Sequence, residues 1–340
     1  MLTEFFCKFA AVITITMTPI ESIRQSIHPE LQLLNDKIKK SLSSSNGLMN
    51  QVVDSYLAEK GKQIRPILVI LTAKLFGEVD DRVISAAAAV EMLHNATLIH
   101  DDVIDESKLR RSKPTVNSRW DNQIAVLVGD FFVSSALQQA ISTGDIRIID
   151  SLAYLGKILS LGEVDQIFYA RYHCLDEEAY FKIISHKTAS LFVSCIRMGA
   201  YAVNGDGEKL RAMERFAEIL GLCFQIRDDI FDYYRSEEVG KPTGNDLREG
   251  KITLPLLYAL NRTDLPETAS MRELSKKEIL TEEEISTLVE FAKEAGGVDY
   301  AYETMERLRR DAAGLLDIFE PSETVEALRS IFDFIITRRN

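Results

Sequence analysis

Two short acidic segments stand out, DDVID at 101–105 and DDIFD at 228–232. On a helix, side chains four apart share one face. Asp101 therefore projects with Asp105, and Asp228 with Asp232. Like charges at that spacing repel and weaken a helix. A chain that repeats the arrangement after two apolar segments calls for a compensating cation. Oxygen donors without a Cys or His cluster favour Mg2+ or Mn2+. Mg2+ is typically held by one or two carboxylates together with phosphate oxygens. Two facing carboxylate pairs would thus clamp a metal-bound diphosphate. A solvated acidic helix end explains one such cluster well, and two of identical spacing poorly.

The neighbouring residues sharpen this reading. His94 lies two turns before Asp101, and Gln225 lies one turn before Asp228. Arg110 and Arg111 follow the first cluster where its helix should end. Upstream, KGKQIRP supplies Lys62 and Arg65, with Pro66 suited to a first helical turn. Helix N-termini with nearby cations bind phosphate well. The chain therefore offers two anion sites. One works through metal on the aspartates. The other is direct, from Lys62, Arg65, His94 and an arginine.

Helices must position these groups. Helical periodicity is common and two-residue alternation rare. Helices are expected near 20–42, 47–59, 64–76, 80–104, 122–141, 145–170, 176–203, 207–235, 252–260, 281–295, 297–316 and 321–338. VISAAAAVEMLHNATLI is apolar nearly all round, as in a helix buried at the centre of a bundle. The stretch 237–255 reads as a functional loop. No Gly/Ser/Pro linker divides the chain, so 19–340 reads as one all-α domain. Residues 1–18 read as an extension outside the fold, with Met17 a candidate start. A net charge of −12 argues against nucleic acid as a partner. No run of about 18 apolar residues suggests a membrane span. Cys7, Cys174, Cys195 and Cys223 lack metal-type spacing, and the three in apolar stretches read as reduced core residues of a cytoplasmic protein.

GKQIRP, HNATLIHDDVIDESKLRRSKPTVN, GDFF (129–132), HKTASL (186–191), QIRDDIFDYY (225–234) and GKPTGNDLREGKITLP (240–255) together resemble the trans-isoprenyl diphosphate synthases, or polyprenyl synthetases. The medium- and long-chain members, of octaprenyl or solanesyl type, are the most similar. The likeness runs from about residue 20 to the C-terminus. Two positions depart from the family pattern. Lys60 replaces a glycine, and Gln63 replaces a common basic residue.

The resemblance implies a large helical bundle around a central cavity. It implies head-to-tail condensation of an allylic diphosphate, such as farnesyl diphosphate, with isopentenyl diphosphate. Three Mg2+ ions, replaceable by Mn2+, would sit on Asp101, Asp105 and Asp228, with Asp102, Asp229 and Asp232 as auxiliary ligands. Arg110, Lys187 and Lys241 would hold the allylic diphosphate. Lys62, Arg65, His94 and Arg111 would hold isopentenyl diphosphate. Thr188 and Gln225 would face the allylic cation, and Lys241 and Lys251 would belong to a lid. His100 and Arg227 read as packing residues, Tyr233 and Tyr234 as wall. A homodimer is expected, without a membrane span but with peripheral membrane contact at product release. The product would go to a quinone side chain.

Short-chain relatives block the product path with an aromatic residue four or five positions before the first aspartate. Thr97 and Ala96 occupy those positions here. The path is therefore expected to stay open for another turn, about 5.4 Å, down to Leu93, Phe131 or Phe132. The alternatives are a shorter-chain (farnesyl or geranylgeranyl) synthase, a class I terpene cyclase and a non-catalytic subunit of a heteromeric prenyltransferase. The second DDxxD and the basic site disfavour the last two.

Overall fold

The computed structural model describes residues 18–58, 61–110, 113–234 and 243–337. Residues 1–17, Lys60, Arg111 and Lys241 lie outside them. The regular elements among the described residues are all helices, apart from one two-residue antiparallel pair.

Thr18 and Glu21 form a reciprocal capping box, with Thr18 N–H donating to Glu21 Oε2 at 2.8 Å. It opens α1 (Pro19–Ser26), and α2 follows (His28–Ser41). The single helix expected over 20–42 is broken at Ile27. Pro29 lacks an N–H and can sit only in the first turn of a new helix. α3 (Gly47–Leu57) and α4 (Ile64–Phe76) precede α5 (Asp81–Ile104). Asp80 caps α5, accepting from Arg82 N at 2.9 Å. Val83 to Val90 are all buried, so α5 is the central helix its sequence predicts. It packs against α2, α4, α7 and α10.

After α5 come the strands β1 (Leu109–Arg110) and β2 (Lys113–Pro114), then α6 (Val116–Arg119). The sequence reading has neither the hairpin nor α6. α7 (Asn122–Ser142) and α8 (Ile146–Arg171) lead to a long rod. The rod comprises α9 (Glu177–Ile184), a π-helical turn (Ser185–Ala189) and α10 (Ser190–Ala202). α11 (Gly207–Phe231) ends at the second aspartate motif, short of residue 235. The loop beyond contains α12 (Asn245–Arg248). α13 (Leu254–Asn261), an unexpected α14 (Thr268–Ser275), α15 (Glu282–Glu294), α16 (Gly297–Ala312) and α17 (Glu323–Thr337) complete the bundle. One hydrophobic cluster runs from Ile20 to Ile336.

Among the described residues, α7 alone is long and apolar enough, by length and composition, to cross a membrane. A count of unbroken apolar runs passes over it because Asp130 and then Ser134, Ser135, Gln138 and Gln139 interrupt the run. Its inner face, including Val128, Phe132 and Ala136, is buried in the bundle, and α5 and α7 share the most extensive helix contact in the fold.

Candidate active site

The first motif ends α5. Asp105 is the cap residue, and its N–H donates to Asp101 O at 2.8 Å. Glu106 then takes a left-handed φ of 50° and turns the chain into the hairpin. That turn brings Arg110 back onto Asp102. The guanidinium contacts Asp102 Oδ1 at 2.8 Å through Nη2 and 2.9 Å through Nε. Asn117 Nδ2 donates to the Asp102 carbonyl at 3.1 Å. Asp102 is 3% exposed and bonded to Arg110. Burial pushes the Asp101 carboxyl up to about 6, while Lys187 opposes the shift and Glu163 and Asp105 add to it.

The π-helical turn positions Lys187 and Thr188. Its extra residue per turn displaces side chains from the α-helical register, a device common at functional sites. Glycines let its neighbours approach. A Cβ at Gly221 of α11 would overlap the Ala189 backbone, and one at Gly162 of α8 would press on His186. Thr188 Oγ1 donates to Gln225 Oε1 at 2.7 Å. Lys187 donates to Gln166 Oε1 at 3.2 Å and pairs with Glu163.

Gln225 Nε2 donates to Asp229 Oδ1 at 2.8 Å. Tyr180 Oη donates to the other Asp229 oxygen at 2.5 Å. Burial raises the Asp229 carboxyl against these two donors. Asp232 accepts from Asn245 N at 2.8 Å and Asp246 N at 3.1 Å, so here its carboxylate caps the loop. Burial first, then Asp229 and Asp232, drive the Asp246 carboxyl well up. Lys251 Nζ lies 2.5 Å from Glu249 and 3.6 Å from Asp105.

Two cavities hold part of the expected site, while Asp101, Asp105, Asp228 and Asp232 line neither. Lys62, Arg65, His94, Asp102 and Arg110 line one of about 1320 Å³. Lys62 Nζ sits 5.2 Å over the Phe334 ring, and the Arg65 guanidinium 5.7 Å over Phe192. Lys187, Thr188, Gln225, Asp229 and Lys251 line another of about 190 Å³. Leu93, Ala96, Thr97, Phe131 and Phe132 line neither. Ala96 and Phe132 are fully buried, and Phe132 packs edge-on against Tyr56 at 5.6 Å.

The remaining residues take local roles. His100 turns to α7, with Nε2 at 3.2 Å from Val126 O, and Gly129 makes room for its ring. Arg227 donates to Tyr302 Oη at 2.7 Å. Tyr233 is buried against Thr253, whereas Tyr234 is 48% exposed. Cys195 and Cys223 are buried thiols, and Cys174 is exposed. Cys7 lies outside the described residues.

The donor set at both motifs is all oxygen. Among the described residues no three His, Cys, Asp or Glu side chains form a ready cage. A hard cation completed by phosphate oxygens fits such a set. Burial, with neighbouring carboxylates adding to it, raises Asp101, Asp229 and Asp246 together and favours added positive charge at this place.

The family model described as Polyprenyl synthetase matches residues 46–292. The chain belongs to the polyprenyl synthetase family. Octaprenyl diphosphate synthase of Haemophilus influenzae is 32% identical over 317 residues, covering 92% of this chain and 95% of the relative. Polyprenyl synthase from Caulobacter crescentus CB15, solved complexed with calcium and isoprenyl diphosphate, has TM-score 0.87 at 32% identity, covering 94% of this chain and 98% of that one. Geranylgeranyl pyrophosphate synthase from Bacteroides thetaiotaomicron has TM-score 0.81 at 36% identity, covering 94% and 99%.

Sequence reasoning about this polyprenyl synthetase missed Glu163, Gln166, Tyr180 and Asp246. Glu163 and Gln166 carry a readable signal, since polar residues one turn apart interrupt an apolar helix. Tyr180 and Asp246 carry none, because their importance comes from whom they meet across the fold.

Proposed function

We propose that the chain is an all-trans polyprenyl diphosphate synthase that extends an allylic diphosphate with isopentenyl diphosphate to a medium or long chain. Membership of the family makes it a prenyltransferase. The observation that carries the reading is the meeting of the first aspartate motif with two lysines from distant segments. Lys187 acts on Asp101, and Lys251 lies beside Asp105 and Asp246.

Asp101, Asp105 and Asp228 would hold Mg2+, as three ions and with Mn2+ able to replace it. When bound, the metal neutralises the leaving diphosphate as a Lewis acid. Asp229 and Asp232 support these ligands through Gln225, Tyr180 and the loop N–H groups. Asp102 orients Arg110. Arg110, Lys187 and Lys241 bind the allylic diphosphate, with Lys187 exchanging its Glu163 partner for phosphate. Lys251 closes the loop over it. The Thr188 and Gln225 oxygens face the carbon that becomes positive. Lys62, Arg65, His94 and Arg111 bind isopentenyl diphosphate, and the departing diphosphate takes the final proton. The loop excludes water from the cation.

The outward side of α7 and α8 is apolar at helical spacing, with Val133, Leu137 and Ile141 on one helix and Leu161, Val164 and Phe168 on the other. A second copy of the chain covers it, giving a homodimer. The unpaired Cys174, Cys195 and Cys223 thiols support a reducing, cytoplasmic setting. α7 does not span a membrane, and membrane contact is peripheral and serves product release. The unit extends over 19–340, preceded by an extension, and a quinone side chain is the use of the product.

A second reading, a shorter geranylgeranyl-type product, is favoured by the complete burial of Ala96 and Phe132. One experiment decides between them. Purified protein is incubated with Mg2+, farnesyl diphosphate and labelled isopentenyl diphosphate, and the dephosphorylated products are chromatographed. Chains beyond twenty carbons support the first reading and twenty-carbon chains the second. No incorporation refutes both. Light scattering showing a fully active monomer would refute the dimer.

A further inference from the structure

Gln63 stands between Lys62 and Arg65, at a position where the family pattern has a basic residue. It adopts φ 53° and ψ 38°, a left-handed conformation that a residue with a side chain holds only when its surroundings enforce it. Its carbonyl accepts from Ile67 N at 3.2 Å and so opens α4, in whose first turn Arg65 lies.

The enforcing group is Arg24 of α1. Arg24 Nη1 donates to the Lys62 carbonyl at 2.9 Å, and Nη2 reaches Gln63 Oε1 at 3.5 Å. Gln63 Nε2 donates to Asn35 Oδ1 at 3.0 Å, and Asn35 Nδ2 donates to Leu31 O at 2.7 Å. Arg24, Asn35, Lys62 and Gln63 all line the 1320 Å³ cavity. A guanidinium from a different helix therefore sits at the rim where residue 63 contributes no charge. A neutral Gln63 is what lets it do so, because two cations at this distance would repel.

We propose that Arg24 is a positioning residue for the isopentenyl diphosphate site. It locks the turn that carries Lys62 and leads to Arg65, and it supplies the positive charge that Gln63 lacks. The proposal rests on the assignment of Lys62 and Arg65 to isopentenyl diphosphate made above.

Steady-state kinetics with full-length protein, Mg2+, farnesyl diphosphate and isopentenyl diphosphate test it, with a thermal melt of each variant. Lys62→Ala reports on the underlying assignment. Arg24→Ala is expected to raise KM for isopentenyl diphosphate about tenfold, the effect of losing one hydrogen bond from a charged group. The KM for farnesyl diphosphate and the melting temperature should stay close to wild type. Arg24→Gln keeps a donor for the Lys62 carbonyl without the charge, and should fall between Arg24→Ala and wild type. Gln63→Arg alone should weaken binding, while Arg24→Ala combined with Gln63→Arg should recover most of the loss.

An unchanged KM in Arg24→Ala, with a raised KM in Lys62→Ala, overturns the proposal and leaves the site assignment standing. Unchanged values in both overturn the assignment and the proposal with it. A rise in both substrates' KM values together with a lowered melting temperature assigns Arg24 to general stability, and also overturns it. Additive loss in the double variant overturns the charge half.

Discussion

Lys251 Nζ lies 3.6 Å from the Asp105 carboxylate, so the loop after the second aspartate motif closes onto the first. Burial works against the Lys251 charge, but Glu249, Asp105 and Asp246 outweigh it and hold its pKa above the ordinary value. The ammonium is thus kept charged beside the place where a diphosphate would develop negative charge. Lys251→Ala is expected to lower kcat by about tenfold to a hundredfold, with a smaller effect on either KM. A wild-type kcat would reduce Lys251 to a partner of Glu249.

Asp101→Ala and Asp228→Ala each remove a carboxylate needed mainly as the leaving group ionises. Turnover should fall by orders of magnitude while the circular dichroism spectrum and melting profile stay close to wild type. Near-normal turnover at saturating Mg2+ would take that residue out of the mechanism.

Proton and metal compete for Asp101. Burial pushes its carboxyl up to about 6, so below that pH the proton-bound form dominates and a metal must displace the proton. The Mg2+ concentration for half-maximal activity should therefore rise as pH falls below about 6, by up to about tenfold per unit. Metal titrations at pH 7, 6 and 5 check this. A constant half-maximal concentration would mean that Asp101 is not a ligand.

Ala96 is fully buried on α5, the helix that carries the first motif. If the growing chain passes it, Ala96→Tyr should truncate the product to about fifteen or twenty carbons by filling the path one turn down, while the first condensation stays fast. Leu93→Ala should lengthen it. An unchanged length distribution in both variants would place the chain elsewhere. A large fall in melting temperature for Ala96→Tyr would show an overpacked core instead.

Burial pushes the Cys195 and Cys223 thiols up to about 12, so both stay protonated and unreactive at neutral pH. Iodoacetamide at pH 8 should alkylate Cys174 in the folded protein and reach Cys195 and Cys223 only in denaturant. Peptide mass spectrometry reads the pattern, and fast labelling of Cys223 in the native state would contradict its burial.

What the sequence by itself determined was whatever depends on neighbours along the chain. The helical class followed from periodicity, and the approximate span of α5 from its run of apolar residues. The clustering of Asp101 with Asp105 followed from helical repeat. The break at Ile27 was also written locally, in Pro29, though a longer periodic pattern masked it. Tertiary structure alone decided the partners. Asp102 and Asp105 are equally acidic in the sequence, yet a left-handed Glu106 returns Arg110 to Asp102, and the distant Lys251 comes to Asp105. Asp232 shares a helical face with Asp228, yet loop N–H groups claim its carboxylate. Gln225 lies one turn before Asp228 in the sequence, and only packing joins it to Thr188 and Asp229. The reason is physical. Helical register sets where a side chain points, but charge and hydrogen-bond pairing depend on distances between segments, and only packing of the whole bundle sets those.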